Sequence, residues 1–169
     1  MGAAPTVATK HLLGARLRIA DLDELCAMHR DPAVMATLGG LRSAATTRAF
    51  LGENLRHWQR HDHGLWIFRD KGTGRFVGRG GLRRVTIHGR PEVEIAYALM
   101  PGYWGRGLAT EMAQVSVDVA LGPLGLHELV AYTIPTNHAS RRVMAKLGFR
   151  HERSIFIHGL PHVLYRFTR

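Results

Sequence analysis

A single cysteine, Cys26, is all the thiol chemistry that 169 residues carry. That excludes an internal disulfide and any multi-cysteine metal site, and it suits a reducing compartment. No apolar run approaches the roughly 18 residues needed to span a bilayer. The opening Met1-Gly-Ala-Ala-Pro-Thr-Val lacks the basic stretch and long apolar core of a secretory signal. A soluble, cytoplasmic protein without a membrane partner is the expectation. Acidic residues are few, 13 Asp+Glu against 23 Lys+Arg, for a net charge of +10. The surplus is regional, since residues 41–90 hold eleven Lys+Arg and three Asp+Glu. Two readings compete: arginine-rich solvated faces, or a cationic rim at a substrate entrance that favours anionic donors or acceptors. Nucleic-acid binding ranks below both, because no aromatic-interleaved motif or recognition helix accompanies the charge.

What is present centres on Leu99-Met-Pro-Gly-Tyr-Trp-Gly-Arg-Gly-Leu-Ala-Thr-Glu-Met112. Before it, Val93 to Leu99 reads as a buried strand. After it, Leu108, Met112, Val115 and Val119 mark one face of a helix. Gly102, Gly105 and Gly107 let backbone amides crowd together at the helix's positive end, which makes an anion cradle suited to a pyrophosphate. Two nucleotide patterns fail here. No lysine follows the glycines, so the Walker loop is excluded, and Thr110 stands where a dinucleotide fold needs its third glycine.

The stretch resembles the acetyl-CoA pyrophosphate loop of the GNAT N-acetyltransferases, Gln/Arg-x-x-Gly-x-Gly/Ala, with Gly107 and Ala109 at the last fixed positions and Trp104 in place of Gln or Arg. Its wording is similar to the branch containing the ribosomal-protein alanine N-acetyltransferases. A second segment supports this: Asn137, Ser140, Arg142, Val143, Lys146, Leu147, Gly148 and Phe149 match that branch's helix after the fifth strand. The resemblance covers roughly residues 10–167. It implies an α+β GNAT fold over a single domain, 1–169, with residues 1–10 a loose tail or an edge segment. The expected sheet is mostly antiparallel, six- to seven-stranded, splayed between its fourth and fifth strands and flanked by about four helices.

The order of elements agrees. His11 to Ala20, with Leu12, Leu13, Leu17 and Ile19, reads as a strand, Asp21 as a helix N-cap, and Asp31-Pro32 as a second helix start. Thr46 or Thr47 reads as the cap of a helix whose apolar stripe is Phe50, Leu51, Leu55 and Trp58. Cys26 falls among core positions of the first helix. His57, His61 and His63 cluster near a helix end; without a third ligand held on one face they read as a polar terminus, and no metal is expected. A hairpin turns at Lys71-Gly-Thr-Gly74, another at His88-Gly-Arg-Pro91, and a last one at His158-Gly159.

The resemblance implies direct attack of an amine on the acetyl-CoA thioester, and no Ser-His-Asp or Cys-His nucleophile constellation is readable. Acetyl-CoA is the expected acyl donor, held by the amides of Trp104, Gly105, Arg106, Gly107, Leu108, Ala109 and Thr110, with the Arg106 charge beside them. Its pantetheine arm is expected between the splayed strands near Leu99 and Met100, where a backbone N–H would polarise the thioester carbonyl. Asn137 and Arg142 complete the donor contacts, with Asn137 serving equally as N-cap of its helix. Glu94, in Glu94-Ile-Ala-Tyr97, is the expected base, and a strand carboxylate paired with an arginine is its competing reading; Glu92 and His88 are reserves. Ser140 is the candidate to protonate the leaving thiolate. The tyrosine usual seven residues after Asn137 is Met144 here, which leaves open a non-catalytic acyl-CoA-binding or regulatory domain. The acceptor is a primary amine, on a protein N-terminus or a small molecule. A homodimer is raised by the resemblance, with no interface readable.

Overall fold

The computed structural model describes Gly2 and residues 4–169. Among these residues, eight strands form one sheet in the order β1-β2-β3-β4-β5-β6-β8-β7. They are β1 (Thr6–Ala8), β2 (Leu12–Arg16), β3 (Leu65–Asp70), β4 (Phe76–Ile87), β5 (Arg90–Leu99), β6 (Glu128–Thr133), β7 (Arg150–Ile157) and β8 (Leu160–Thr168). Five helices flank it: α1 (Leu22–Arg30), α2 (Pro32–Met35), α3 (Ala44–His61), α4 (Leu108–Leu121) and α5 (His138–Lys146). The sheet thus has one strand more than the six to seven expected. The addition is β1, whose Val7 pairs with Gly14 at the sheet edge, inside the segment read as a tail or an edge. Three residues are too few to show a period of two.

Local chemistry sets the helix starts. Asp31 accepts the N–H groups of Ala33 and Val34, with Pro32 at the first helical position. The cap of α3 is Ser43, which accepts from Thr46 N–H, rather than the expected Thr46 or Thr47. Thr47 is instead buried, with its hydroxyl 3.0 Å from His29 Nδ1. Asp21 sits at the α1 N-cap but its carboxylate accepts Arg18 N–H and lies 3.5 Å from Arg69.

The alternation of strand side chains divides the sheet into two working faces. Ile95 and Leu99 of β5 and Leu129 and Ala131 of β6 pack with Met112 and Val117 of α4 and Met144 of α5. On the other face, Ala96 packs with Leu25, Phe50 and Leu51, and Ala98 with Met28 and Met35. Burying each large apolar side chain contributes about 1.5–3 kcal/mol, so both faces carry real packing.

Between β5 and β6 the sheet changes character. Every other neighbour pair is antiparallel; this one is parallel and meets at a single register pair, Glu94 with Val130. At its closed end an ion network spans the seam. Arg166 donates to both oxygens of Glu92 at 3.0 and 2.8 Å and to Glu152 at 2.5 Å, while Arg90 reaches Glu92 at 3.1 Å and Glu128 at 2.9 Å. Beyond Glu94 the two strands diverge. The expected splay between the fourth and fifth strands of the sequence reading is this β5–β6 gap.

Candidate active site

The loop from Met100 to Gly107 enters the gap's outer end. A 3-10 turn, Pro101–Tyr103, closes with Trp104 N–H on Pro101 O, so the Trp104 amide is committed within the loop. The first bond of α4 runs from Glu111 N–H to Gly107 O. Between these, the amides of Gly105, Arg106, Gly107, Leu108, Ala109 and Thr110 donate to no described residue. Gly105 and Gly107 hold φ of 72° and 75°, the left-handed region that turns successive N–H groups to one side, and no atom lies within 4 Å of where a Cβ would stand. The run of unbonded amides therefore begins at Gly105, and the Trp104 amide, expected within it, is bonded inside the loop. Arg106 is exposed beside it, its guanidinium over the Tyr103 ring at 5.5 Å.

Trp104 has a role the sequence did not reveal. Although half exposed, it donates its indole N–H to Leu99 O at 2.9 Å. Met100 N–H is bonded to Val77 O of β4, so by strand alternation Leu99 N–H and C=O face the opposite way, into the gap. Leu99 thus presents an amide to the gap, and Trp104 holds the adjoining carbonyl.

Across the gap stands α5. Asn137 Oδ1 accepts Ser140 N–H at 3.2 Å and its Nδ2 donates to Thr133 Oγ1 at 3.0 Å, joining the helix start to the end of β6. The single Tyr97 hydroxyl hydrogen has two acceptors within reach, Ser140 Oγ at 2.9 Å and Ser140 O at 3.2 Å. Burial pushes the Tyr97 phenol up to about 12, so it stays protonated and available as a donor. Tyr97 and Ser140 are 43 residues apart in sequence, and only the fold joins them. Arg142 is exposed, with no bond to a described residue; its neighbour Arg141 instead ties Tyr165 and Pro135.

Glu94 lies on the opposite face of β5 from Tyr97 and Leu99. It is 5% exposed, and its Oε2 accepts from Arg83 at 2.8 Å and, at a longer 3.4 Å, from the Tyr132 hydroxyl. Its Oε1 takes no bond from a described residue. The attraction of Glu94 holds Arg83 charged. Glu92 is locked in the seam network, and His88 sits on the β4–β5 turn against Arg153, so neither reserve base reaches the gap. His57 commits both ring nitrogens: Nδ1–H donates to His63 O and Nε2 accepts Arg84 N–H, each at 2.9 Å. Burial holds its pKa down to about 4. Among the described residues no group of three or more His, Cys, Asp or Glu is placed to hold a metal ion, and no helix is long and apolar enough to cross a membrane.

A cleft of about 450 Å³ opens on the Glu94 face, between Gly39 and Gly40 after α2, Ile134 to Thr136 after β6, and Leu160 and Pro161 of the last hairpin. Amide cradle and cleft thus approach the seam from opposite faces of the sheet.

The family model for the acetyltransferase (GNAT) domain matches residues 12–150. YkkB of Bacillus subtilis (strain 168), an uncharacterized protein, is 31% identical over 138 residues, 82% of this chain and 80% of its own length. Among solved structures, an acetyltransferase from Agrobacterium tumefaciens C58 superposes with a TM-score of 0.86 at 25% identity, over 100% of this chain and 97% of that one. RimL, a ribosomal L7/L12 α-N-protein acetyltransferase solved with coenzyme A, superposes with a TM-score of 0.79 at 16% identity, over 96% and 97% of the two chains, a likeness of fold.

Proposed function

The chain belongs to the GNAT acetyltransferase family, and from that premise we propose that it transfers an acetyl group from acetyl-CoA directly to a primary amine entering through the cleft on the Glu94 face. The observation that carries this reading is the row of unpaired amides from Gly105 to Thr110, which suits a pyrophosphate and has no other acceptor among the described residues. Acetyl-CoA, as substrate, supplies the acetyl thioester; the rest falls to this chain's own groups.

Three tasks are divided between the faces of β5. Leu99 N–H faces the gap and is the donor for the oxyanion that develops on the thioester carbonyl. Ser140 is the proton donor to the leaving sulfur. With Tyr97 as the donor in their shared bond, the serine hydroxyl hydrogen is free to point into the gap. Glu94 is the base, acting from its open Oε1 through a water, while Arg83 fixes its other oxygen. Met144, buried at 2% exposure, takes no part in proton transfer. A thiolate leaves tolerably well near neutral pH, so a modest acid suffices.

Two measurements test the reading. Calorimetry with acetyl-CoA reports the cradle, and thiol release across N-terminal peptides, amino acids and amino sugars reports transfer. Binding with turnover of one acceptor class is the expected result. Binding without turnover of any amine would favour a non-catalytic acyl-CoA domain, and no binding would remove the cradle assignment.

Trp104→Phe isolates the indole N–H. It keeps an aromatic ring at a half-exposed position, so stability is expected to move by no more than about 1 kcal/mol. Freed from its hold, the Leu99 carbonyl no longer fixes the neighbouring amide, and kcat is expected to fall roughly tenfold. An unchanged kcat would show that β4 alone holds Leu99 in place.

A further inference from the structure

Arg79 is the anomaly of the Glu94 face. It is 5% exposed, yet it makes no hydrogen bond or ion pair with a described residue, and its Nε is an orphaned buried donor. The one carboxylate buried nearby, Glu94, is already held by Arg83. Arg79 lies over the Phe50 ring at 4.7 Å, and Arg42 lies over the same ring at 5.4 Å. A ring face offsets only part of the loss of water around a guanidinium. Burial, then Arg83 and Arg42, pull the Arg79 pKa down to about 9, with Glu94 opposing, so it is still a cation at neutral pH. The groups facing this spot are Arg42 before α3, Glu53 and His57 on α3, Arg79 and Arg83 on β4, Glu94 on β5, Tyr132 on β6, and His29 on α1. His29 is held neutral, its pKa lowered to about 3 by burial and by the same arginines. Three guanidiniums therefore meet one buried carboxylate, Glu94, with Glu53 exposed beside Arg83, on the side where the acceptor would enter.

We propose that Arg79, with Arg42 beside it, binds a carboxylate of the acceptor, so that the amine substrate is a free amino acid or a peptide carrying an acidic group near its N-terminus. The choice of molecule rests on the acetyl-transfer reading; the unmet positive charge does not. A guanidinium and a carboxylate match as a two-pronged pair, and a low-dielectric site makes that pair selective. Phosphate groups of the donor are accounted for across the sheet, at the start of α4, so the Arg79 charge is not needed there. Of the basic surplus in residues 41–90, Arg48, Arg56, Arg60, Arg75 and Arg84 are indeed solvated. Arg42, Arg79 and Arg83 are the part turned inward.

The test uses the full chain and Arg79→Met, which keeps the stem's packing and removes the charge. Free amino acids are compared with their amides, and peptides beginning with Glu or Asp with those beginning with Gln or Asn. Wild type should prefer one carboxylate series by roughly thirtyfold in kcat/KM, and Arg79→Met should erase that preference while leaving the neutral counterparts within about threefold. Whichever series shows it names the source. Equal use of neutral and acidic partners by wild type would overturn the proposal. A stability readout works even if no amine turns over. Removing an unpaired buried cation should raise the Tm of the free protein by about 3 °C or more, and millimolar glutamate should raise the Tm of wild type but not of Arg79→Met. A lower Tm in Arg79→Met would mean the charge is satisfied within the fold, and would overturn the proposal independently of any failure of acetyl transfer.

Discussion

Glu94→Gln lowers kcat by about 10²- to 10⁴-fold, the span of a lost general base, and leaves acetyl-CoA affinity within about threefold. The separation follows from the strand. Glu94 lies on the face of β5 opposite Tyr97 and Leu99, while the amide cradle adjoins α4 and Leu99 N–H points into the gap, so the substitution touches the proton and not the donor. Glutamine keeps the length and one oxygen for Arg83, which is 2.8 Å away in the native protein. What it loses is the ability of the second oxygen to take a proton. The competing role, a structural partner for Arg83, makes the opposite forecast: a lower Tm with kcat within about threefold of wild type. Tm and kcat measured on the one variant decide between them.

Arg166→Met costs roughly 3 kcal/mol and lowers the Tm by about 6–12 °C. Arg166 is 13% exposed at its side chain and Glu92 only 6%, so removing the cation strands a buried carboxylate with Arg90 as its remaining neighbour. Methionine fills much of the arginine stem's volume, which confines the effect to charge. Glu92→Gln added to Arg166→Met should recover part of the loss, because a neutral pair no longer leaves an ion unmet. A Tm within about 2 °C of wild type for Arg166→Met would mean that the network is solvated decoration. The network also explains why β5 and β6 meet where they do. Glu92, Glu128, Glu152 and Arg166 draw four strands together at one end, and nothing equivalent bonds Leu99 to Thr133 at the other.

Much of this was readable before any fold was known. The glycine-punctuated loop, the strand before it and the helix after it carry their own signals, and Asn137 and Gly148 mark both ends of α5. Local patterns report local structure. What they missed depends on distant residues. Trp104 reads only as the residue standing in place of Gln or Arg until the fold sets its indole N–H against Leu99 O. The Tyr97–Ser140 pair requires two strands to diverge by just the width that lets a helix start between them. The sequence reading places the α3 cap at Thr46 or Thr47, good caps by type; in the fold Thr47 is buried against His29 and Thr46 N–H is the donor that Ser43 accepts. Arg79 sits in Gly78-Arg-Gly-Gly-Leu-Arg-Arg84, a stretch that looks like solvated charge because periodicity gives no sign of which arginines point inward.

The divergence of β5 and β6 gives the sheet four borders instead of two. Its outer margins are β1 and β7; the inner ones run along the gap, where backbone groups have no neighbouring strand. Such borders invite unwanted pairing with another chain, and here they are blunted by side chains. Trp104 closes the Leu99 carbonyl, Asn137 the Thr133 hydroxyl, and Tyr97 and Ser140 meet across the opening. The same unmet backbone that supplies a reactive amide is thus a solubility hazard held in check. Amide exchange at the outer end of this gap will run closer to that of a loop than to that of the central strands it interrupts.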